Sequence, residues 1–284
     1  RSAPKKITLP PTGVKALADT STFEVKQPAR RYSTPVKTEL AVIDPISKKI
    51  FTSDVSSPYL YQWNNKLEQT DSILLYSSAV SATFLDDAKK HRQGVFTMKG
   101  NDFVTSKVNG QLLQLDISSK LKKSMDTIAM HLPRPLQSVP ADFNQDGLMD
   151  WATCATAEYR GGVFVSLQLP SGKYEKKLLS DSLGAIRLVT DDFNKDGWSD
   201  LLVLYAYNDE SITLFLNDKK GAFTETKLFG FQALYGLTGL QLADFNKDGL
   251  NDIVYTCGST YSLSGIPQPY HGVYIYLNKG SGKF

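Results

Sequence analysis

Cysteine and histidine are scarce in this 284-residue chain. Two cysteines, Cys154 and Cys257, cannot build a disulfide framework. The three histidines, His91, His131 and His271, form no i, i+4 metal-binding pair and flank no nucleophile motif, so no catalytic constellation is visible. Long apolar runs are missing as well. None approaches the roughly 20 residues that a membrane-crossing helix needs, so membrane insertion is not expected. Charge of one sign is also absent from the body of the chain. The net charge is +3, and residues 1–40 hold eight Lys/Arg against three Asp/Glu, which leaves −2 on the remaining 244 residues. A body so close to neutral gives no electrostatic case for a nucleic-acid partner. The chain starts at Arg1 rather than Met, as a processed chain does, so the lack of a signal peptide excludes nothing.

Residues 1–35 contain five of the 13 prolines and little apolar periodicity, and they read as a basic tether or arm. From about Val36 to the carboxyl end the texture is that of an all-β domain. Short apolar or alternating runs, such as Leu40–Ile43, Tyr59–Trp63, Gly94–Met98 and Gly110–Ile117, are separated by turn residues. Ser118–Ile128 is the best helical candidate in the chain. Such a pattern fits a sandwich, a barrel or a propeller.

Internal repetition separates these. Three segments align: Asp142-Phe-Asn-Gln-Asp-Gly-Leu-Met-Asp150, Asp192-Phe-Asn-Lys-Asp-Gly-Trp-Ser-Asp200 and Asp244-Phe-Asn-Lys-Asp-Gly-Leu-Asn-Asp252, with starts 50 and 52 residues apart. A short run precedes each loop, apolar strands follow it, and a turn with Gly and an aromatic comes next: Gly172-Lys-Tyr174, Gly221-Ala-Phe223 and Gly282-Lys-Phe284. A unit of four strands and about 50 residues has the size of one propeller blade. One such sheet cannot bury both faces alone, and stacking against neighbours around an axis solves that problem. Residues 136–284 therefore read as metal-loop blades and residues 36–135 as two decayed ones. That makes about five blades, the last incomplete. In one of the decayed units, Asp86-Asp87-Ala-Lys-Lys-His91 has lost the loop pattern. Propellers close to hide their edges, so an open edge calls for further blades or a covering partner.

The repeated D-x-N-x-D-G-x-x-D loop is suited to a hard cation. Ca²⁺ takes six to eight oxygens. Positions 1, 3 and 5 of a sharply turned loop converge, glycine at position 6 permits the turn, position 7 offers a carbonyl, and the carboxylate at position 9 completes the shell. The expected ligands are Asp142, Asn144, Asp146, the Leu148 carbonyl and Asp150; Asp192, Asn194, Asp196, the Trp198 carbonyl and Asp200; and Asp244, Asn246, Asp248, the Leu250 carbonyl and Asp252. About three Ca²⁺ ions follow. The competing reading is an acidic turn held by side-chain-to-backbone hydrogen bonds. An EF-hand is excluded, because position 12 is Thr153, Val203 or Tyr255 rather than Glu, and strand-like residues follow each loop.

On these residues the units resemble FG-GAP/VCBS repeats, related to the calcium-loop blades of integrin α-subunit propellers. The resemblance covers residues 136–284 well and residues 36–135 poorly. It implies a propeller of seven or a similar number of blades and export from the cytoplasm (secreted, cell-surface or periplasmic). It also implies Ca²⁺ in the loop between the first and second strands, and a role in adhesion, in protein or carbohydrate recognition, or as an appendage to another domain.

In that family the linkers between second and third strands lie opposite the calcium loops. Loops that carry aromatic and polar groups on a rigid scaffold suit ligand recognition. The candidate ligand-binding residues are Tyr159, Arg160, Tyr207, Tyr261, Tyr270 and His271, the last three within or beside an insertion at 258–271. An ordered loop capping a sheet edge is the alternative. Cys154 and Cys257 fall at similar places in non-adjacent blades and are expected to be buried thiols. The function expected is a calcium-stabilised, non-catalytic binding, adhesion or scaffold module with a protein or glycan ligand. The alternatives are a propeller-based polysaccharide lyase or hydrolase, or a structural appendage. An enzyme would need His131, Arg134, Tyr159, Tyr270 and His271 to converge.

Overall fold

In the computed structural model, the described residues are 38–55, 57–87, 90–100, 108–118, 120–121, 125–207, 209–219, 222–232, 235–258 and 270–284. They belong to one unit, Pro35–Phe284; the arm expected over residues 1–35 lies outside them. They form nineteen strands and, among the described residues, no helix. Four antiparallel sheets have four strands and one has three.

Blade 1 holds β1 (Thr38–Ile43), β2 (Ile50–Asp54), β3 (Ser57–Trp63) and β4 (Gln69–Leu74). Blade 2 holds β5 (Ala79–Asp86), β6 (Arg92–Met98), β7 (Gly110–Asp116) and β8 (Met125–Leu132). Blade 3 holds β9 (Pro135–Ala141), β10 (Asp150–Thr156), β11 (Gly161–Gln168) and β12 (Tyr174–Ser180). Blade 4 holds β13 (Ala185–Asp191), β14 (Asp200–Tyr205), β15 (Ser211–Asn217) and β16 (Phe223–Gly230). Blade 5 holds β17 (Leu237–Ala243), β18 (Asp252–Cys257) and β19 (Gly272–Tyr276). Strand order follows the chain in every sheet, and the first strands β1, β5, β9, β13 and β17 contact one another in succession. This is the meander and radial stacking of a β-propeller. The expectation of about five blades with the last incomplete agrees with it.

Burial explains the choice of residues. The second strands β10 and β14 are buried throughout because a blade lies on each side; β14 is apolar after Asp200, and in β10 the polar Thr153 and Thr156 are small enough to be buried beside Trp151, Ala152, Cys154 and Ala155. The fourth strand β16 is mostly exposed and carries Glu225 and Lys227, which blunt an outer edge. Between blades, one core follows another. Phe51, Phe84 and Phe96 interlock between blades 1 and 2. Trp151 packs with Val95, Leu112 and Leu132 between blades 2 and 3. Val163 and Val165 meet Leu201, Val203 and Phe215 between blades 3 and 4, and Leu202, Ile212 and Leu214 meet Ile253 and Tyr255 between blades 4 and 5. Each such side chain contributes roughly 1.5–3 kcal/mol on burial.

The helix expected over Ser118–Ile128 is corrected over its last four residues, where Met125–Ile128 open β8, which pairs with β7; residues 119 and 122–124 of the segment lie outside the described ones. Burying Ile128, Ala129 and Leu132 against Trp151 decides the conformation there, and a weak helical pattern does not resist that gain.

Candidate functional site

The three acidic loops connect first to second strands in blades 3, 4 and 5, so all three lie at one end of the propeller. Their geometry repeats atom for atom. In the first loop, Asp142 accepts the Asp146 and Gly147 N–H groups at 3.2 and 2.9 Å, and Asp146 accepts the Leu148 N–H at 2.8 Å. The second and third loops make the same bonds through Asp192 and Asp196, and through Asp244 and Asp248. The turn needs left-handed backbone at two places. Gly147, Gly197 and Gly249 have φ of 81°, 89° and 83°, and Gln145, Lys195 and Lys247 lie at 56°, 61° and 62°. Glycine carries the larger angles without steric cost.

The ninth position braces the loop from below. Asp150 is fully buried; its two oxygens accept the Phe143 N–H at 2.9 Å and the Gln168 N–H at 2.7 Å. Asp200 does the same for Phe193 and Asn217, and Asp252 for Phe245 and Asn278. Each therefore ties its loop to the end of the third strand. Burial pushes the Asp150 carboxyl up, its two N–H donors pull it down, and the nearby Asp146 and Asp142 raise it further. The same balance pushes Asp200 up to about 6, with Asp196 and Asp192 as the neighbouring charges. Asp196 itself is lowered: burial works against this, but the Trp198 N–H and Lys219, 3.3 Å away, outweigh it.

Among the described residues, no three Asp, Glu, His or Cys side chains stand at metal-binding separation. The loop oxygens are turned to the loop's own N–H groups instead. The donor set nevertheless fits a hard cation. Each loop offers carboxylate, amide and carbonyl oxygens and no nitrogen or sulfur, and in the first two loops the neighbouring carboxylates raise the proton affinity of Asp150 and Asp200.

Blades 1 and 2 treat the same end of the propeller differently. The turn between β1 and β2 is organised by Asp44, which is fully buried and accepts the Ile46 and Ser47 N–H groups. Arg92, at the start of β6 in the next blade, donates to both Asp44 oxygens through Nε at 3.0 and 3.2 Å, and also reaches Asp86. A covalently attached cation thus stands where the later blades gather carboxylates. No motif announces this pair, because its partners lie 48 residues apart. In the decayed loop of blade 2, Asp87 accepts the His91 N–H at 2.8 Å.

At the opposite end, the structure does not bring the five described ligand-binding candidates, Tyr159, Arg160, Tyr207, Tyr270 and His271, to one place. Tyr207, 57% exposed, lines a cleft of about 610 Å³ between blades 3 and 4, together with Arg134, Glu158 and Tyr205. Tyr159 and Arg160 lie exposed in the adjoining turn and are not part of its lining. Tyr270 stacks on Tyr235 at 4.4 Å and meets His271 edge-on, in blade 5. Tyr261 lies outside the described residues, as does most of the 258–271 insertion. His131 lines a different cleft, between the outer strands of blades 2 and 3, where Lys176 donates to its carbonyl. The two cysteines are buried and free. Cys154 joins the core facing blade 4 and Cys257 the one shared with blade 4 from the other side, because their strand positions differ by one residue.

Residues 192–255, which contain the second loop, β14 to β17 and the third loop, match the FG-GAP-like repeat family. No curated protein sequence matches the chain. Among solved structures, BBS1N in complex with ARL6DN is similar at 9% identity, over 86% of this chain and 65% of that one, with a TM-score of 0.47. Sqt1 of Saccharomyces cerevisiae is similar at 12% identity, over 78% and 57%, with a TM-score of 0.48. The gluconolactonase XC5397 from Xanthomonas campestris is similar at 9% identity, over 78% and 69%, with a TM-score of 0.47. This chain spans between 57% and 69% of those three structures' own length.

Proposed function

We propose that this chain, an FG-GAP-like repeat β-propeller, is a calcium-stabilised, non-catalytic binding or scaffold module that works outside the cytoplasm. The observation that carries the reading is the threefold identity of the acidic loops. Asp142, Asp192 and Asp244 occupy the same place, as do Asp146, Asp196 and Asp248, and in each loop the buried ninth-position carboxylate ties loop to strand. Like charges gathered this closely repel, and a bound divalent cation would neutralise them. Loops of this construction, exposed at their turns (Gln145 and Gly147, Lys195 and Gly197, Lys247 and Gly249), suit the sub-millimolar to millimolar affinities of extracellular calcium modules. Such sites fill outside the cytoplasm. In the ligand-recognition part of the reading, the metal loops stiffen one end of the propeller and a protein or glycan binds the linkers at the other.

The test is a thermal melt of the full chain in chelator and in calcium. One ion at a free concentration 100 times its Kd adds about 2.7 kcal/mol, so loading three sites should raise Tm by well over 5 °C. An unchanged Tm, together with no heat on calcium titration, would overturn the proposal.

A further inference from the structure

The blade repeat makes the cleft between blades 3 and 4 legible as a built feature. The third residue after each loop's last Asp pairs with a residue of the third strand that faces the preceding blade. These pairs are Thr153 with Phe164, Val203 with Thr213, and Tyr255 with Tyr274. In blades 3 and 5 that place holds a large aromatic ring, which packs towards the preceding blade. In blade 4 it holds Thr213, and the space beside it is the cleft of about 610 Å³, within the range of small-ligand sites. Two residues further along the second strand, the small Ala155 and Cys257 of the neighbouring blades are replaced by Tyr205.

Tyr205 is only 2% exposed. Its hydroxyl lies beside the Ser180 hydroxyl without hydrogen-bond geometry to it, and it lines the cleft. Arg134 Nε, on the linker before β9, is likewise buried with no hydrogen-bond partner and belongs to the same lining. Buried polar groups are nearly always paired, and each one left unpaired costs about 1–3 kcal/mol. Two in one cleft mark hydrogen-bonding capacity held open for an occupant. The charges of the lining nearly cancel: Arg134 and Lys227 stand against Glu158, Asp209 and Glu225, and Lys227 is already paired with Asp209 at 2.7 Å. A strongly charged occupant gains nothing from such a wall. At the rim, Tyr207 exposes its ring from a backbone held at φ 76°, a conformation that costs energy and tends to persist at working sites. An exposed aromatic face accepts the C–H face of an apolar-and-hydroxylated ring.

We infer that this cleft binds a neutral saccharide, with the Tyr205 hydroxyl and Arg134 Nε as buried hydrogen-bond partners and Tyr207 as the stacking face. This rests on the binding-module reading and gives it a ligand class and a place.

The experiment is a saturation-transfer NMR screen of the full chain against glucose, galactose, mannose, xylose, N-acetylglucosamine and their β-linked disaccharides, followed by calorimetric titration of any that respond. At least one should bind saturably at about 1 mM or tighter. Tyr205→Phe removes one hydroxyl and should weaken it about five- to tenfold with Tm unchanged. Thr213→Phe restores the aromatic of the neighbouring blades and should abolish binding by filling the cleft. No saturable binding across the panel overturns the inference. So does binding that Tyr205→Phe leaves untouched, or saturable binding of a lysine-rich peptide by a chain that responds to no sugar. The calcium melt is read separately: a sugar-binding protein indifferent to calcium would refute the calcium reading and keep this site, and the converse result would do the reverse.

Discussion

Replacing Arg92 by methionine should unbalance the two blades that lack the acidic loops. The substitution keeps most of the side chain's length and apolar contact and removes the guanidinium. Asp44 is left with the Ser47 hydroxyl and N–H, the Ile46 N–H and the positive field of Lys49, but no direct ion pair to Arg92. Burial alone would push the Asp44 carboxyl up; Arg92 first, then Ser47 and Ile46, outweigh it and hold the carboxyl at about 2, against an ordinary value of 3.8. At 1.36 kcal/mol per unit, that depression is worth about 2.4 kcal/mol of folding stability. Breaking a buried pair by removing one partner costs about 3–5 kcal/mol, so a loss of about 3 kcal/mol at pH 7 is expected. For a domain of this size that is a fall in Tm of roughly 6–12 °C. The pH dependence carries a definite sign. A carboxyl lowered by folding adds stability that is complete above 3.8 and disappears as pH falls through about 2. Urea unfolding of both proteins from pH 7 to pH 2 should therefore show a difference that is constant down to about pH 4 and shrinks below it. A gap under about 0.5 kcal/mol at pH 7, within the range of ordinary surface substitutions, would refute the reasoning. A gap that does not change down to pH 2 would refute it as well.

Phe193→Ala should cost about 3–5 kcal/mol by emptying a packed site, because Phe193 is buried under Phe284, whereas Phe245→Ala should cost under about 1 kcal/mol, because Phe245 is 52% exposed; chemical denaturation of the two variants checks the contrast. Chelator should speed amide exchange at Gly147, Gly197 and Gly249 and leave the Lys48 amide, held by the Asp44 carbonyl in a turn neutralised by Arg92, unchanged; hydrogen-exchange mass spectrometry reads both, and equal change at all four positions would count against the division of the propeller into metal-loop and ion-paired blades.

The blade architecture was legible in the sequence because propeller strands repeat both a burial pattern and a loop. The Asp-Phe-Asn spacing fixed the register of blades 3 to 5, and from it Trp151–Cys154, Leu201–Tyr205 and Ile253–Cys257 fall within second strands. Blades 1 and 2 were visible only as unlabelled apolar runs, since a loop neutralised by Arg92 has no reason to keep the acidic signature. The helical reading failed over 125–128 because β8 is an outer strand. With only Ile128, Ala129 and Leu132 of it buried, its alternation is too thin to announce itself locally. The bracing role of Asp150, Asp200 and Asp252 was half legible. Their place in the loop was clear, but the N–H groups they accept from Gln168, Asn217 and Asn278, at or just past the third strands, come from 18, 17 and 26 residues away. The cleft at Tyr205 and Thr213 was not read at all, because its signal is a departure from the repeat and shows only when the blades are laid over one another.

The same overlay makes Phe245 informative. In the first loop, Phe143 is covered by Phe223 from the next blade's turn, with ring centroids 5.8 Å apart, and its carbonyl accepts Asn217 Nδ2 at 2.8 Å. In the second, Phe193 is covered by Phe284 at 6.1 Å, and its carbonyl accepts the Gly282 N–H at 3.0 Å. The apolar set that lies beside these phenylalanines, Val163 and Val165 in blade 3 and Ile212 and Leu214 in blade 4, is buried to within 2%. Its counterpart in blade 5, Val273 and Ile275, is 68% and 44% exposed. The side chains at these places are aliphatic in all three blades, and among the described residues blade 5 has no following sheet and no fourth strand. The burial of this set is therefore a property of the blade–blade contact and not of the blade. The stability of blades 3 and 4 resides in their seams, and blade 5, three-stranded and with one seam among the described residues, is less supported by packing than either and more dependent on whatever neutralises its loop.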